Sequence, residues 1–580
     1  MKKRLTVFFL FFNSLLLYAE PLHYTLSFDT ELFSSVHVRV QIHEPAKRFV
    51  LSMPVWVPGS YYVGSFGQYV KNIRASSGSE EVTLRPLNQN SWEVLNSRAA
   101  KVTVDYDVQM VPTGFLKTVL DSSGAILEGA TIWLEVRGLE ETPARITIEV
   151  PFQWDVSTAL PSVEHHVYRA ADYDQLVDSP IMLGELDVYR FTVQNKLHEV
   201  AIKGKGDFDR TGFVEMIQKI VRYQTAFFDQ APYERYVFQV DLLPEMRGGG
   251  GLEHRSSTTI TFPVLSLMED VKNAANLIAH EFFHLWNVER IYPEQLSPVP
   301  YHREFRLRSL WWLEGVTSYY ADLTLVRTGI WSVDEFFRNQ EKQIQILQSN
   351  PDRLKTSVAQ SSWDIWETGY FSTGISYYVK GQLLALLFDL SIRMQTGQQK
   401  SLDDVVIYLN ETFARQGRAY AEDELVEIFQ RVTGIDFQPF FDRYITGTRE
   451  LPFGKVFSKA GLAFDMETRP VPTIGNVRFV GDRFRVFSID PASPAAMAGL
   501  RRNDRMVAID GIKLREREQF ENMIKNKNIG DRVDIEIERN RTRITVPVPV
   551  KPSEQVIVQL GMGSHHTNAQ KNLLENWLHQ

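Results

Sequence analysis

There is no cysteine anywhere in this chain. That excludes disulfides, thiolate metal ligands, a thiol nucleophile and a lipid-modified N-terminal cysteine. Charge of one sign is scarce too: 63 Lys and Arg face 71 Asp and Glu, the net charge is -8, and no long basic run occurs. Nucleic acid and anionic membrane surfaces are therefore poor partners for it. Beyond the first twenty residues no apolar run approaches the length of about 20 residues that a spanning helix needs. Core-forming residues are plentiful. Of 580 residues 44% are hydrophobic and 12% aromatic, enough for three or four domains at roughly 150 residues each.

The chain opens with Lys2, Lys3 and Arg4, then an apolar run from Leu5 to Tyr18, then the small Ala19. A positive head, a short apolar stretch and a small residue before Glu20 make residues 1–19 a signal peptide and the protein an exported one, periplasmic or secreted. An uncleaved N-terminal anchor is the alternative.

Periodicity divides the rest of the chain. Residues 20–200 alternate apolar and polar with period two, as in His23–Phe28, Val36–Val40 and Ile146–Val150, which predicts a sandwich-like β domain. Residues 201–455 bring a helix over Gly212–Phe228, strands at Tyr236–Leu243 and Thr258–Pro263, and long helices beyond 270, including Ser376–Met394. That is an α+β core of a small sheet packed on helices. Short strands return from 467 to 550, with a helix near Glu516–Lys525 and a closing hairpin, Val533–Glu538 with Thr542–Val548. Residues 551–580 read as a polar tail with a short helix at Ala569–Leu578.

The motif that carries chemistry is His280-Glu281-Phe282-Phe283-His284. On a helix, residues four apart share a face one turn apart. Two imidazoles so placed reach one tetrahedral zinc, with Glu281 beside the metal's water. A third ligand comes from Leu310–Tyr320, an apolar helix with a single carboxylate, Glu314. A buried carboxylate needs a cationic partner, and two His with one Glu leave a fourth zinc position open. A salt bridge from Glu314 to Arg306 or Arg308 is the competing reading. Ser318, one turn beyond Glu314, is a candidate to orient an imidazole.

The run His280–Ile291 resembles the zinc helix of the glycyl aminopeptidase family within the gluzincin metallopeptidases, and Leu310–Tyr320 resembles its third-ligand helix. Pro54–Tyr61 and Asp172–Pro180 resemble further markers of that family, in the same order. Glu289 stands where a basic residue is expected and Gly64 where the family often has Arg. The resemblance implies a thermolysin-like catalytic domain with a helical extension and one Zn2+ per chain. The implied activity is hydrolysis of N-terminal residues from peptides, with preference for Gly or Ala.

Gly248–Gly251 precede Leu252, Glu253 and His254. Glycines let a substrate backbone approach and pair as an added strand, which nominates Gly250 and Gly251 for substrate binding. A carboxylate there can hold a peptide's α-ammonium. The resemblance maps the family's exopeptidase Glu onto Glu253; a solvated loop is the plain alternative. His254 reads as structural or substrate-adjacent. The family's oxyanion-binding Tyr, two residues before Lys-Gly, maps onto Tyr378, with Tyr377 as runner-up; a phenol donates where negative charge develops. Glu281 is then the general base.

Residues 467–550 resemble a PDZ domain through Ser493–Ala495, Ala498–Leu500, Asp504 and Ile509–Gly511, with a ligand loop near Ile474–Asn476. Such modules capture C-terminal carboxylates or extended strands. The expected partners are peptides with a free N-terminus and a C-terminal peptide on this module, with no nucleic acid and no transmembrane span once the signal is removed. The rivals are an endopeptidase on the same site and a non-catalytic peptide-binding protein.

Overall fold

Alternating side chains make strands where the sequence alternates. Leu22–Phe28 buries Leu22, Tyr24 and Leu26 and turns the residues between outward. It pairs antiparallel with Ser35–Ile42 and parallel with Ala144–Ile148. The computed structural model describes residues 22–579, except 30, 62, 98–100, 112–117, 152, 244–249, 305, 369–373, 481–483 and 516. The expected signal peptide and Gly248 and Gly249 lie outside the described residues. An 11-stranded and a 4-stranded sheet build the N-terminal β-rich unit around one apolar core. Three buried tyrosines hold the segment that crosses this core: Tyr24, Tyr106 and Tyr173 donate to the carbonyls of Leu134, Ile132 and Trp133 at 2.8–3.0 Å.

The unit expected to be catalytic is α+β. Its five strands are β1 (Leu186–Val193), β2 (Lys196–Lys203), β3 (Arg235–Leu243), β4 (Gly250–Glu253) and β5 (Ser257–Pro263), in the order β1-β2-β3-β5-β4. Residues 250–253, for which the sequence suggested no strand of their own, are thus an edge strand, antiparallel to β5. Helices α1 (Arg210–Phe227) and α2 (Ala275–Phe283) pack on the sheet, and α3 (Thr317–Arg327), α4 (Val333–Gln348) and α5 (Tyr377–Gln395) pack behind them, α3 on α2 and α4 and α5 on α3. Ser376 caps α5 by accepting from the Val379 amide at 3.3 Å, stabilising its first turn.

A separate apolar core, including Val486, Ile509, Val533, Ile535 and Ile537, holds the PDZ region together. Val477–Val480 is the edge strand of its sheet as described, and the Thr542–Pro549 strand lies at the other end of the order. Residues 551–579, expected as a polar tail, do more than trail. Strand β7 (Lys551–Met562) pairs antiparallel with β6 (Leu462–Thr473) along all twelve residues. Helix α6 (Asn568–Leu578) then returns to the α+β core, where Trp577 is fully buried and donates from Nε1 to the Tyr319 hydroxyl at 2.8 Å. Among the described residues no helix is long and apolar enough to cross a membrane.

Candidate metal centre and peptide site

Helix α2 places His280 and His284 one turn apart, and their Nε2 atoms lie 3.0 Å from each other. The Glu314 Oε2 lies 3.4 Å from His280 Nε2 and 3.2 Å from His284 Nε2. Ligand atoms of the three residues all fall within 4.8 Å of one another. The competing salt bridge does not form. Arg306 pairs with Glu304 and Glu367 instead, and the Arg308 guanidinium lies 4.6 Å above the Trp363 ring.

Glu314 sits in a π-helical turn, Trp311–Val316, just before α3. Such wide turns recur at functional sites. This turn lies directly on α5. A Cβ at Gly315 would come within 2.4 Å of the Gly381 Cα, and one at Gly381 within 2.4 Å of the Trp311 carbonyl oxygen. Glycine at both positions lets the two helices approach backbone to backbone, which fixes Glu314 relative to Tyr378.

Both imidazoles are oriented from behind. The His284 Nδ1–H donates to the Asn287 carbonyl at 2.7 Å. The Ser318 hydroxyl donates to the Glu314 carbonyl at 2.9 Å, so it accepts from His280 Nδ1–H at 3.3 Å. Each ring then turns a bare Nε2 lone pair toward the shared point, the tautomer a metal requires. The sequence suggested Ser318. It did not suggest Asn287, whose side-chain amide also donates to the carbonyls of Trp312 and Leu313 at 3.0 and 3.2 Å and to Thr317 Oγ1 at 3.1 Å.

Nor did it suggest Asp322. Its carboxylate accepts from four amides: Asn276 at 2.7 Å, Asn339 at 2.7 Å, Gln340 at 2.7 Å and Gln382 at 2.5 Å. Those donors lie on α2, α4, α4 and α5, so one buried group on α3 ties together the helices that carry His280, Glu314 and Tyr378. Burial pushes its carboxyl up to about 7, against the pull of its amide donors.

The peptide-side residues also converge. A Cβ at Gly251 on β4 would lie 2.4 Å from the Glu281 carboxyl carbon, so this edge strand passes directly over that carboxylate. Two residues on, Glu253 is buried. Gly250 begins the strand and pairs with Thr261. The half-buried Tyr378 ring lies 6.1 Å from the His280 ring and stacks on Tyr377 at 4.9 Å, whereas Tyr377 is buried against Tyr61. His254 takes no part in the cluster. It bonds Asp178 at 3.0 Å and lies 3.8 Å from Glu128. Burial lowers its imidazolium, but the hydrogen bond and charge of Asp178, with Glu128 and Glu289, lift it to about 9. Glu289, in its unexpected place, is buried beside Arg255 at 3.6 Å.

The electrostatics call for a cation. Glu253, Glu281 and Glu314 are three buried carboxylates around two imidazoles. Burial, then the charge of Glu253, pushes the Glu281 carboxyl well up. Burial lowers His284, yet Glu253 and Glu314 lift it to about 10. Without a metal the site must take up protons to offset this excess of negative charge, and a divalent ion at the three ligand atoms supplies that charge directly. The donor set, two imidazole nitrogens and one carboxylate oxygen, suits such an ion.

Family profiles match the chain in three places: the peptidase M61 N-terminal domain over residues 23–185, the M61 glycyl aminopeptidase over 273–384 and a PDZ domain over 460–550. No curated protein sequence matches it. Among solved structures, an aminopeptidase N family protein from Idiomarina loihiensis superposes with a TM-score of 0.83 at 24% identity, over 96% of this chain and 100% of that one. A mutant M1 zinc metallopeptidase from Deinococcus radiodurans, bound to a Tyr-Ser-Ala substrate, gives 0.48 at 14% identity, over 74% of this chain and 94% of that one.

Proposed function

Taking as premise that the chain is a peptidase of the M61 family, with that family's N-terminal and catalytic domains and a PDZ domain, we propose that it is a zinc aminopeptidase. In this reading His280, His284 and Glu314 hold one Zn2+ per chain, and the protein removes N-terminal residues, Gly or Ala, from peptides. The observation that carries the reading is the convergence of His280 Nε2, His284 Nε2 and Glu314 Oε2 beneath an edge strand that bears Glu253.

Held by these three residues, a zinc ion would supply an acidified water and a Lewis acid for the scissile carbonyl. The chain's own groups do the rest. Glu281, on the same helix as the two histidine ligands and beneath the Gly251 backbone, takes the water's proton and passes it to the leaving amine. The outer edge of Gly250–Gly251 pairs with the substrate backbone as a further strand. Glu253 accepts the substrate's α-ammonium, which limits cleavage to the first peptide bond. Tyr378 donates to the oxyanion as the tetrahedral state forms. The PDZ region takes a C-terminal peptide at its edge strand, Val477–Val480. Beside that strand stands Gly475, whose φ of +94° and tight contact with Ser493 only glycine accommodates without strain. The protein acts outside the cytoplasm after removal of residues 1–19.

Purified full-length protein should contain zinc and release the leaving group from Gly- or Ala-anilide. Glu281→Gln should retain the zinc and lose turnover. An N-acetylated peptide should resist cleavage; efficient cleavage of blocked peptides would make the enzyme an endopeptidase. N-terminal sequencing of secreted material should begin at Glu20.

A further inference from the structure

We propose that Tyr61, a residue of the N-terminal β domain, is a positioning residue for Glu314, so that the metal centre of the catalytic unit is completed from outside it. The inference rests on the metallopeptidase reading above and extends it to a residue with no assigned role.

The two oxygens of Glu314 are divided. Oε2 faces His280 and His284 at 3.4 and 3.2 Å. Oε1 accepts a hydrogen bond from the Tyr61 hydroxyl at 3.1 Å, across 253 residues of sequence. A carboxylate with one oxygen tied in this way presents the other alone. Freed from it, the group can rotate and offer both oxygens to the ion, changing coordination number and geometry.

Tyr61 is held for this task. It is 1% exposed. Together with Val55 and Trp56 it belongs to the apolar core of the catalytic unit, whereas Val57 between them packs into the N-terminal core. The loop that carries it is seated on residues 300–301: the Val55 amide donates to the Tyr301 carbonyl at 2.7 Å and the Trp56 indole to the Pro300 carbonyl at 2.8 Å. The Trp366 and Tyr377 rings stand edge-on to the phenol ring at 6.2 and 6.4 Å. A residue this firmly packed loses little freedom when it donates to Glu314, so the bond orients its acceptor effectively.

The test is cobalt titration of the metal-free full-length protein, read by visible absorption and by competition with a chelator. Tyr61→Phe keeps the ring and deletes the donor. It should bind Co2+ roughly 10- to 100-fold more weakly, the usual cost of losing a partner behind a metal ligand, with an altered band shape from the changed carboxylate binding. Trp366→Phe, which disturbs the same aromatic packing without touching Glu314, should leave the band shape as in wild type. Unchanged cobalt affinity and spectrum in Tyr61→Phe overturn the proposal, as does an equal spectral change in Trp366→Phe. A wild type that binds cobalt in this way but cleaves no peptide ends the peptidase reading and leaves Tyr61 in its role. A wild type that cleaves peptides while Tyr61→Phe matches it in affinity and spectrum removes Tyr61 alone. A wild type with no affinity for cobalt removes both.

Discussion

Gly59 and Glu253 meet across the boundary between the N-terminal and catalytic units: a Cβ on Gly59 would stand 2.4 Å from Glu253 Oε2. Gly59 also has φ +79°, where a side chain is strained. Gly59→Ala therefore pushes a methyl group into the carboxylate proposed to hold the substrate amine. Backbone strain of about 1–3 kcal/mol should lower Tm modestly. The larger effect should be a rise in KM of roughly tenfold for substrates with a free N-terminus, the scale of one lost polar contact. Steady-state kinetics on Gly-anilide check it, and an unchanged KM would detach Glu253 from the substrate amine.

Glu253→Gln keeps the shape of that carboxylate and removes its charge. Discrimination between free and acetylated peptides should collapse by one to two orders of magnitude, since charge-assisted hydrogen bonds contribute about 1.5–3 kcal/mol. The ratio of kcat/KM for the two substrates is the measurement.

Asp322→Leu leaves four amides on three helices, those of Gln340 and Gln382 buried, without their acceptor. Each lost partner costs about 1–3 kcal/mol, so the variant should unfold at markedly lower temperature and lose metal more readily, although Asp322 touches none of the ligands. Asp322→Asn keeps an oxygen toward part of the set and should fall between. Calorimetry of both variants tests the order.

His254 sets a pH dependence. Its folded value of about 9 stands above the ordinary histidine value of about 6.5. Stability from this group is therefore complete below pH of about 6.5 and fades as pH rises through about 9, by roughly 3 kcal/mol in total. His254→Gln should flatten that part of the Tm against pH curve. A wild-type Tm that stays level across that window would contradict it.

Much of the candidate metal centre was legible because it follows local rules. A four-residue spacing puts His280 and His284 on one face, and Glu314 is conspicuous as a lone carboxylate in an apolar run. The same reasoning reaches Asp322, another lone acid in the apolar stretch Tyr319–Val326, and could have found it. Other features leave no such mark. Asn287 orients His284 through a backbone carbonyl, an atom every residue possesses. Tyr61 reaches Glu314 only once two units have docked. The π-helical form of Trp311–Val316, a turn pressed against α5, cannot be read from a helical periodicity that would suit either geometry. The edge strand at Gly250–Glu253 was hidden by glycine, which favours loops unless a neighbouring strand supplies partners, as β5 does here.

The paired strands β6 and β7 give the PDZ region two attachments in place of one. They run side by side, and the chain beyond β7 anchors itself in the catalytic core through Trp577. The module is thus carried on a doubled stalk and not on a single strand. For the C-terminal peptide proposed to bind there, any gain in local concentration would then depend on stalk geometry more than on length.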